Sequence, residues 1–238
     1  MTALLRKFSF FSLLLVLGAL LALDYGWLNF SAALDQRAGD LLLRQHAQRR
    51  PASPDIVVID IDQKSLEDMN EIAGSWPWPR AIHAELIEGI ARQQPQAIVF
   101  DIFFNEPDTF RQDSDTLFRE VVAAHPQVYL PTVLLADGIG ARLADLPPIL
   151  GLQKTPQAST DARAPLLLPW VLPAETWRGG LVNFDKDSDG IGRHYLLYQE
   201  TAGWHLPSLP ARLARDLGWT VPEQARLMLN WQAGRRHI

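Results

Sequence analysis

Asp55-Ile56-Val57-Val58-Ile59-Asp60-Ile61-Asp62 is the stretch on which the fold turns. An unbroken Val/Ile run of this length reads as a strand covered on both faces, the mark of a parallel sheet. A second run, Ile98-Val99-Phe100, also ends in a carboxylate, Asp101. Ligands of open parallel sheets sit beyond the carboxyl ends of the strands, so Asp60, Asp62 and Asp101 are candidate ligand-binding residues. Between the runs lies Trp76-Pro77-Trp78-Pro79-Arg80, stiffened by its prolines. The planar fork of Arg80 suits bidentate pairing with a carboxylate, which makes it the natural internal partner of these aspartates. Two readings of Asp60, Asp62, Arg80 and Asp101 stand side by side: a buried ion pair that fixes the Trp-Pro loop, and a polar pocket for a cation or an amine-bearing small molecule.

Working outward, residues 31–49 have helical spacing and end in the chain-breaking Arg49-Arg50-Pro51-Ala52-Ser53-Pro54. A strand over 56–61 is followed by a short helix around Ser65 to Met69. Arg80 to Arg92 is amphipathic, and residues 97–104 form the second strand. Asp113 is the expected N-cap of a helix through Ala124, with Leu117, Phe118, Val121 and Val122 facing inward. A third strand covers 127–135. The order β-α-β-α-β predicts an α/β fold with a parallel or mixed sheet and flanking helices. Residues 137–164 carry no sustained period and read as a long loop. Two strands, 180–184 and 193–199, flank Asp185-Lys186-Asp187-Ser188-Asp189-Gly190. Ser208 caps a helix that Gly218 closes, and residues 226–231 form one more strand.

The chain has 238 residues, 47% hydrophobic and 21% charged, with net charge -5 and no cysteine. That composition is globular, the acidic balance argues against nucleic acid, and disulfides and thiolate metal sites are excluded. Arg6 and Lys7 precede an uncharged run, Phe8 to Leu23, with seven leucines, three phenylalanines and Val16. Membrane insertion of this run gains about 3 to 7 kcal/mol, and it spans about 24 Å at 1.5 Å per residue. The expectation is a cytoplasmic N-terminus over 1–7, one transmembrane anchor over 8–27, and an extracytoplasmic domain over 28–238. A cleaved signal peptide is the competing reading, disfavoured because no clean small-x-small site precedes Asp24.

Several of these motifs occur together in one family. Val58-Ile59-Asp60-Ile61-Asp62, Trp76-Pro77-Trp78-Pro79-Arg80, His83, Phe100-Asp101-Ile102, Asp113 to Asp115, and Asp187-Ser188-Asp189-Gly190 with Arg193 resemble, in this order, the CHASE domain of type two. The abbreviation stands for cyclase and histidine-kinase associated sensory extracellular. Leu206-Pro207-Ser208-Leu209 and Leu227-Met228-Leu229-Asn230-Trp231 fit as well. The resemblance implies the extracytoplasmic input domain of a transmembrane receptor in a bacterial inner membrane. Its output would be an adenylate cyclase, histidine kinase or Ser/Thr kinase beyond Ile238, so the sensory domain is expected to be incomplete at its C-terminal end. A homodimer joined through membrane and stalk helices is expected because cyclase and kinase outputs need paired subunits; the resemblance carries over no particular ligand, and a small-molecule or ionic one is the expectation. The alternative is a self-standing, membrane-anchored protein that binds a small molecule or cation.

Asp185, Asp187 and Asp189, followed by Gly190, open like a calcium loop. Leu196 stands where the bidentate Glu belongs, so a tight turn built from Asp and Gly is the simpler account. No other cofactor is implied. The six histidines show no metal spacing. Val57 to Asp62 also looks like the first motif of haloacid-dehalogenase-type phosphatases. Lys64 occupies the place of its Thr or Val, which leaves an exported phosphatase as a remote reading and no convincing catalytic set.

Overall fold

The computed structural model describes residues 2–28, 30–49, 53–187 and 189–230, with side chains from Phe10 to Gly26 and from Gln36 onward within those ranges. The chain divides into two units, 1–58 with 230–238 and 59–229. In the first unit, α1 (Thr2–Leu23) runs into a π-helical turn (Asp24–Leu28) and then α2 (Phe30–Arg49). Every described residue from Phe10 to Leu23 is exposed, its large apolar side chains from 47% at Leu14 to 75% at Leu15. Among the described residues, no helix is long and apolar enough to cross a membrane.

The second unit begins with α3 (Gln63–Ala73), α4 (Arg80–Ala91), β1 (Ile98–Val99), α5 (Gln112–Ala124) and β2 (Val128–Leu134). Short strands follow: β3 (Ala141–Arg142), β4 (Gln153–Lys154), β5 (Arg163–Ala164), β6 (Leu166–Leu167) and β7 (Gly179–Leu181). The unit closes with β8 (His194–Leu196), β9 (Tyr198–Thr201), β10 (Trp204–Pro207), α6 (Leu209–Asp216) and β11 (Arg226–Met228). This is a mixed α/β fold with six α-helices among the described residues. The strands of the central sheet meet on β2, which pairs in parallel with β1 and β7 and antiparallel with β6.

Pairing in the sheet departs from the expectation at its first strand. Residues 56–61 join no ladder among the described residues, and Ile56, Val57 and Val58 are 72%, 81% and 75% exposed. A strand needs a neighbour for its N–H and C=O groups. Its expected neighbour, β1, is only two residues long and is hydrogen-bonded on its β2 side. The strands predicted over 180–184 and 193–199 do not pair with each other either: β7 lies on β2, and β8 pairs with β11. Trp231, the predicted end of the last strand, lies outside the described residues.

The core is built where α4 and α5 pack on the sheet. Ile87, Phe118, Val121, Val122, Val128, Leu130 and Leu168 are buried together, each such side chain contributing about 1.5–3 kcal/mol of burial energy. Phe118 and Val122 share a stripe with Asp115, at i+3 and i+7; Leu117 falls off that stripe and is exposed, contrary to its inward prediction. The N-cap of α5 is Arg111 instead of Asp113, which sits in the first turn with Asp115. Asp108 arranges that entry by accepting from the backbone N–H groups of Phe110 at 3.0 Å and Arg111 at 3.1 Å. α6 follows its prediction, with Ser208 Oγ accepting from Ala211 N and Gly218 at φ 75°. Close approach explains two glycines. A Cβ at Gly179 would lie 2.2 Å from the Leu130 carbonyl oxygen, and one at Gly180 would lie 2.6 Å from Leu209 N.

Candidate functional site

Arg80 takes the first helical position of α4, directly after Pro79. Its Nη1 donates to Asp115 Oδ1 at 2.9 Å, and its Nη2 donates to the Glu106 carbonyl. The second oxygen of Asp115 accepts from Asp108 N at 2.7 Å, and Ser114 Oγ accepts from Ala81 N at 2.7 Å. Asp115 is 1% exposed, in the first turn of α5, where the helix dipole favours a carboxylate. The partner of Arg80 is therefore Asp115, not Asp60, Asp62 or Asp101. The reason is reach: the two helix starts lie against each other, so the fork meets Asp115, the first-turn carboxylate on the buried stripe of α5, and not its exposed neighbour Asp113. A carboxylate in the first turn of an apolar-striped helix is the sequence signal that points to Asp115.

Behind this pair, His83 is 3% exposed. The rings of Phe104 (5.3 Å between centroids), Trp76 (6.0 Å), Phe100 (6.2 Å) and Trp78 (6.4 Å) surround it. Burial, with a smaller contribution from the Arg80 charge, lowers its pKa to about 4. His83 Nδ1, Trp78 Nε1 and Arg80 Nε are buried and have no hydrogen-bond partner among the described residues.

The remaining aspartates of the predicted set are dispersed. Asp62 caps α3, accepting from Ser65 N and Ser65 Oγ at 2.8 Å each, and these bonds hold its pKa below the ordinary value. Asp60 and Asp101 are exposed. Asp101 lies close enough to Tyr195 that its charge adds to burial in raising the Tyr195 pKa. Among the described residues, no hydrogen bond or ion pair joins Asp60, Asp62 or Asp101 to Arg80.

The carboxyl ends of β2 and β7 border an open surface depression of about 590 Å³ whose lining includes Leu134, Leu135, Asn183, Asp185, Leu196 and Glu200. Asn183 is tied to the end of β2: its Oδ1 accepts from Leu134 N, and its Nδ2 donates to Leu134 O, both at 2.8 Å. Sequence reasoning placed a site at the strand ends but missed this depression, because its walls come from β8 and β9, far along the chain.

The Asp187–Asp189 turn is held by cationic side chains. Arg193 Nη1 donates to Asp189 Oδ1 at 2.9 Å and to Asp187 Oδ2 at 3.3 Å, and Nη2 donates to Asp189 Oδ2 at 2.7 Å. Arg226 Nη2 donates to Asp187 Oδ1 at 2.8 Å. The Arg193 bonds pull the Asp189 pKa to about 2. For Asp187, burial pushes the pKa up, but bonds from Arg193 and His194 outweigh it and leave it lowered. Gly190 closes the turn at φ 81°, its N–H donating to the Asp187 carbonyl. Among the described residues, no group of three His, Cys, Asp or Glu is placed to hold a metal ion.

Two outcomes follow from this chemistry. Asp115→Ala leaves the partly buried Arg80 guanidinium and Asp108 N without their acceptor and costs on the order of 2–3 kcal/mol, read as a drop in Tm. Unfolded histidine titrates near 6.5 and folded His83 near 4. The unfolded state therefore binds the extra proton first, and stability is lost as pH falls through that window, by on the order of 3 kcal/mol. In His83→Phe the fall in Tm between pH 7 and pH 5 becomes shallower; an unchanged fall would remove His83 as its source.

A family model, the CHASE2 domain, matches residues 12–237. No curated protein and no solved structure matches the chain. With nearly the whole length covered, and with the aspartates and the Trp-Pro-Trp-Pro-Arg segment built into one fold, the chain belongs to the CHASE2 domain family, a family of extracellular sensory domains.

Proposed function

We propose that this chain is the extracytoplasmic input domain of a transmembrane receptor, anchored by α1 and reading its signal at the carboxyl ends of the central strands. The single observation that carries the anchor is the run of exposed apolar side chains on α1. Phe10, Phe11, Leu13, Leu15 and Leu17 are all exposed, and an apolar patch of that kind favours a non-aqueous surrounding. The uncharged run from Phe8 to Leu23 covers about 24 Å at 1.5 Å per residue, slightly short of a hydrocarbon core of ~30 Å. Arg6 and Lys7 then keep the N-terminus on the cytoplasmic side.

Output through a cyclase or kinase needs paired subunits. Leu41 and Leu42 on α2 are exposed and supply an apolar contact for a second copy, so α2 is the stalk of a homodimer. A ligand moves such a receptor only by binding its two states with different affinity; a coupling of about 1–3 kcal/mol is typical. Of the predicted ligand-binding set, Asp101 is exposed, and Arg80 acts as a structural tie to Asp115. Calcium has no role in this reading, because Asp187 and Asp189 already face arginines. CHASE2 domains are sensory and not catalytic, in keeping with a chain that binds and transmits.

One preparation tests the anchor and the stalk together. The chain has no native cysteine, so Leu42→Cys provides a single thiol. Fractionation of expressing bacteria is expected to place the protein in the carbonate-resistant membrane pellet, and oxidation to yield a disulfide-linked dimer. Recovery in the soluble fraction would refute the anchor, and a monomer after oxidation would refute the stalk. A chelator is expected to leave Tm unchanged; a fall reversed by added calcium would restore the calcium loop.

A further inference from the structure

We infer that His83 is a proton-binding site that opens the contact between the starts of α4 and α5 when the extracytoplasmic medium turns acid. The inference deepens the sensory reading by naming a stimulus, and it rests on that reading.

Placement lets His83 gate this contact. It lies one helical turn after Arg80, whose bond to Asp115 holds the two helix starts together. Its ring packs against both flanks of that joint. Trp76 and Trp78 come from the segment before α4, and Phe100 and Phe104 from the stretch directly after β1. Phe104 in turn packs on Phe118 of α5, with 4.6 Å between ring centroids. A histidine that leaves this box therefore loosens α4 from the end of β1 and from α5 at once.

The box suits a neutral ring and opposes a charged one. Both ring nitrogens of a protonated histidine are donors, and the buried Nδ1 of His83 finds no acceptor among the described residues. The charged groups around it do not compensate. On α4 the Arg80 guanidinium disfavours a second positive charge, Glu85 is exposed, and Glu88 is taken by His125. From α5, Asp115 has one oxygen on Arg80 and the other on Asp108 N. After β1, Asp101 is exposed, and Glu106 enters through its carbonyl, which accepts from Arg80. Trp76 to Pro79 carry no charge. Attraction of an imidazolium to the aromatic rings offsets only part of this cost. Burial and Arg80 together place the folded pKa at about 4, against 6.5 for an exposed histidine. Between those values the open arrangement binds a proton that the closed one refuses, which is the differential affinity a switch requires.

Hydrogen exchange of the full chain in lipid nanodiscs, read by mass spectrometry at pH 7 and pH 4.5 and corrected for the intrinsic amide rate, follows this opening. Peptides from α4 and α5 are expected to exchange on the order of 50-fold faster at pH 4.5, the ratio set by a pKa that moves between 6.5 and about 4. Peptides from β2 and α6 are expected to keep their protection. His83→Phe leaves a ring in the box and removes the proton site, so the acceleration is expected to vanish; His83→Leu repeats the test with a smaller side chain. Exchange that does not accelerate in the native chain, or acceleration that survives in either variant, would overturn the inference. Equal acceleration in β2 and α6 would overturn it too, by showing global unfolding in place of a gate. A failure of the sensory reading is separate and is seen in the fractionation, where the chain would leave the membrane whatever the helices do in acid.

Discussion

The ion pair between Arg80 and Asp115 is the constraint on which the rest of the second unit depends. It closes the starts of α4 and α5 on each other, and Ala81 N bonding to Ser114 Oγ repeats the tie on the backbone. Asp115 also holds Asp108 N, so the long connection between β1 and α5 is pinned at its far end. A buried pair of this kind adds little net stability, because desolvation consumes most of the attraction. Its contribution is to exclude alternatives. With the two helix starts fixed, Ile87 and Phe118 are delivered to the same place on the sheet, and the core beneath β2 has one way to pack.

Among the carboxylates described above, charge separates two groups. One group is spent on structure: Asp115 on Arg80, Asp187 and Asp189 on Arg193, Asp216 on Arg212, and Asp62 on the first turn of α3. The other group, Asp101, Asp185 and Glu200, stays exposed at or near the carboxyl ends of β1, β2 and β7. Ion-paired carboxylates hold their surroundings in one arrangement, and open ones are ready for something from outside. A sensory domain needs both kinds, since a signal is legible only against a frame that stays still.

Periodicity made much of this frame legible in the sequence. The helices α4, α5 and α6 and the central strand β2 lie where apolar spacing puts them, because each carries its own local pattern, although of the expected caps Ser208 holds and Asp113 does not. Three things were hidden. The partner of Arg80 is set by how two helices meet, and helix packing is not written in the neighbourhood of residue 80. The strand over 56–61 has the composition of a buried strand, yet pairing is a property of two segments, and the two-residue β1 offers it no ladder. The depression needs β8 and β9 for its wall, and those strands reach it only after a long excursion containing β3 to β6. Asp187 and Asp189 resembled calcium ligands because spacing records where oxygens fall and is silent about Arg193 and Arg226, which approach them.

The exposed run from Ile56 to Ile59 has one more consequence, for the life of the chain before it is finished. Four consecutive β-branched residues without proline are the kind of segment that seeds cross-β association, and synthesis delivers them about 40 residues ahead of β1. Asp55 precedes the run, and Asp60 and Asp62 follow it; negative charges on both sides are the gatekeepers that keep such a segment from stacking with its own copies. On this account the aspartates that first looked like ligands also serve as solubility devices, protecting a newly made chain as it emerges and waits for its fold.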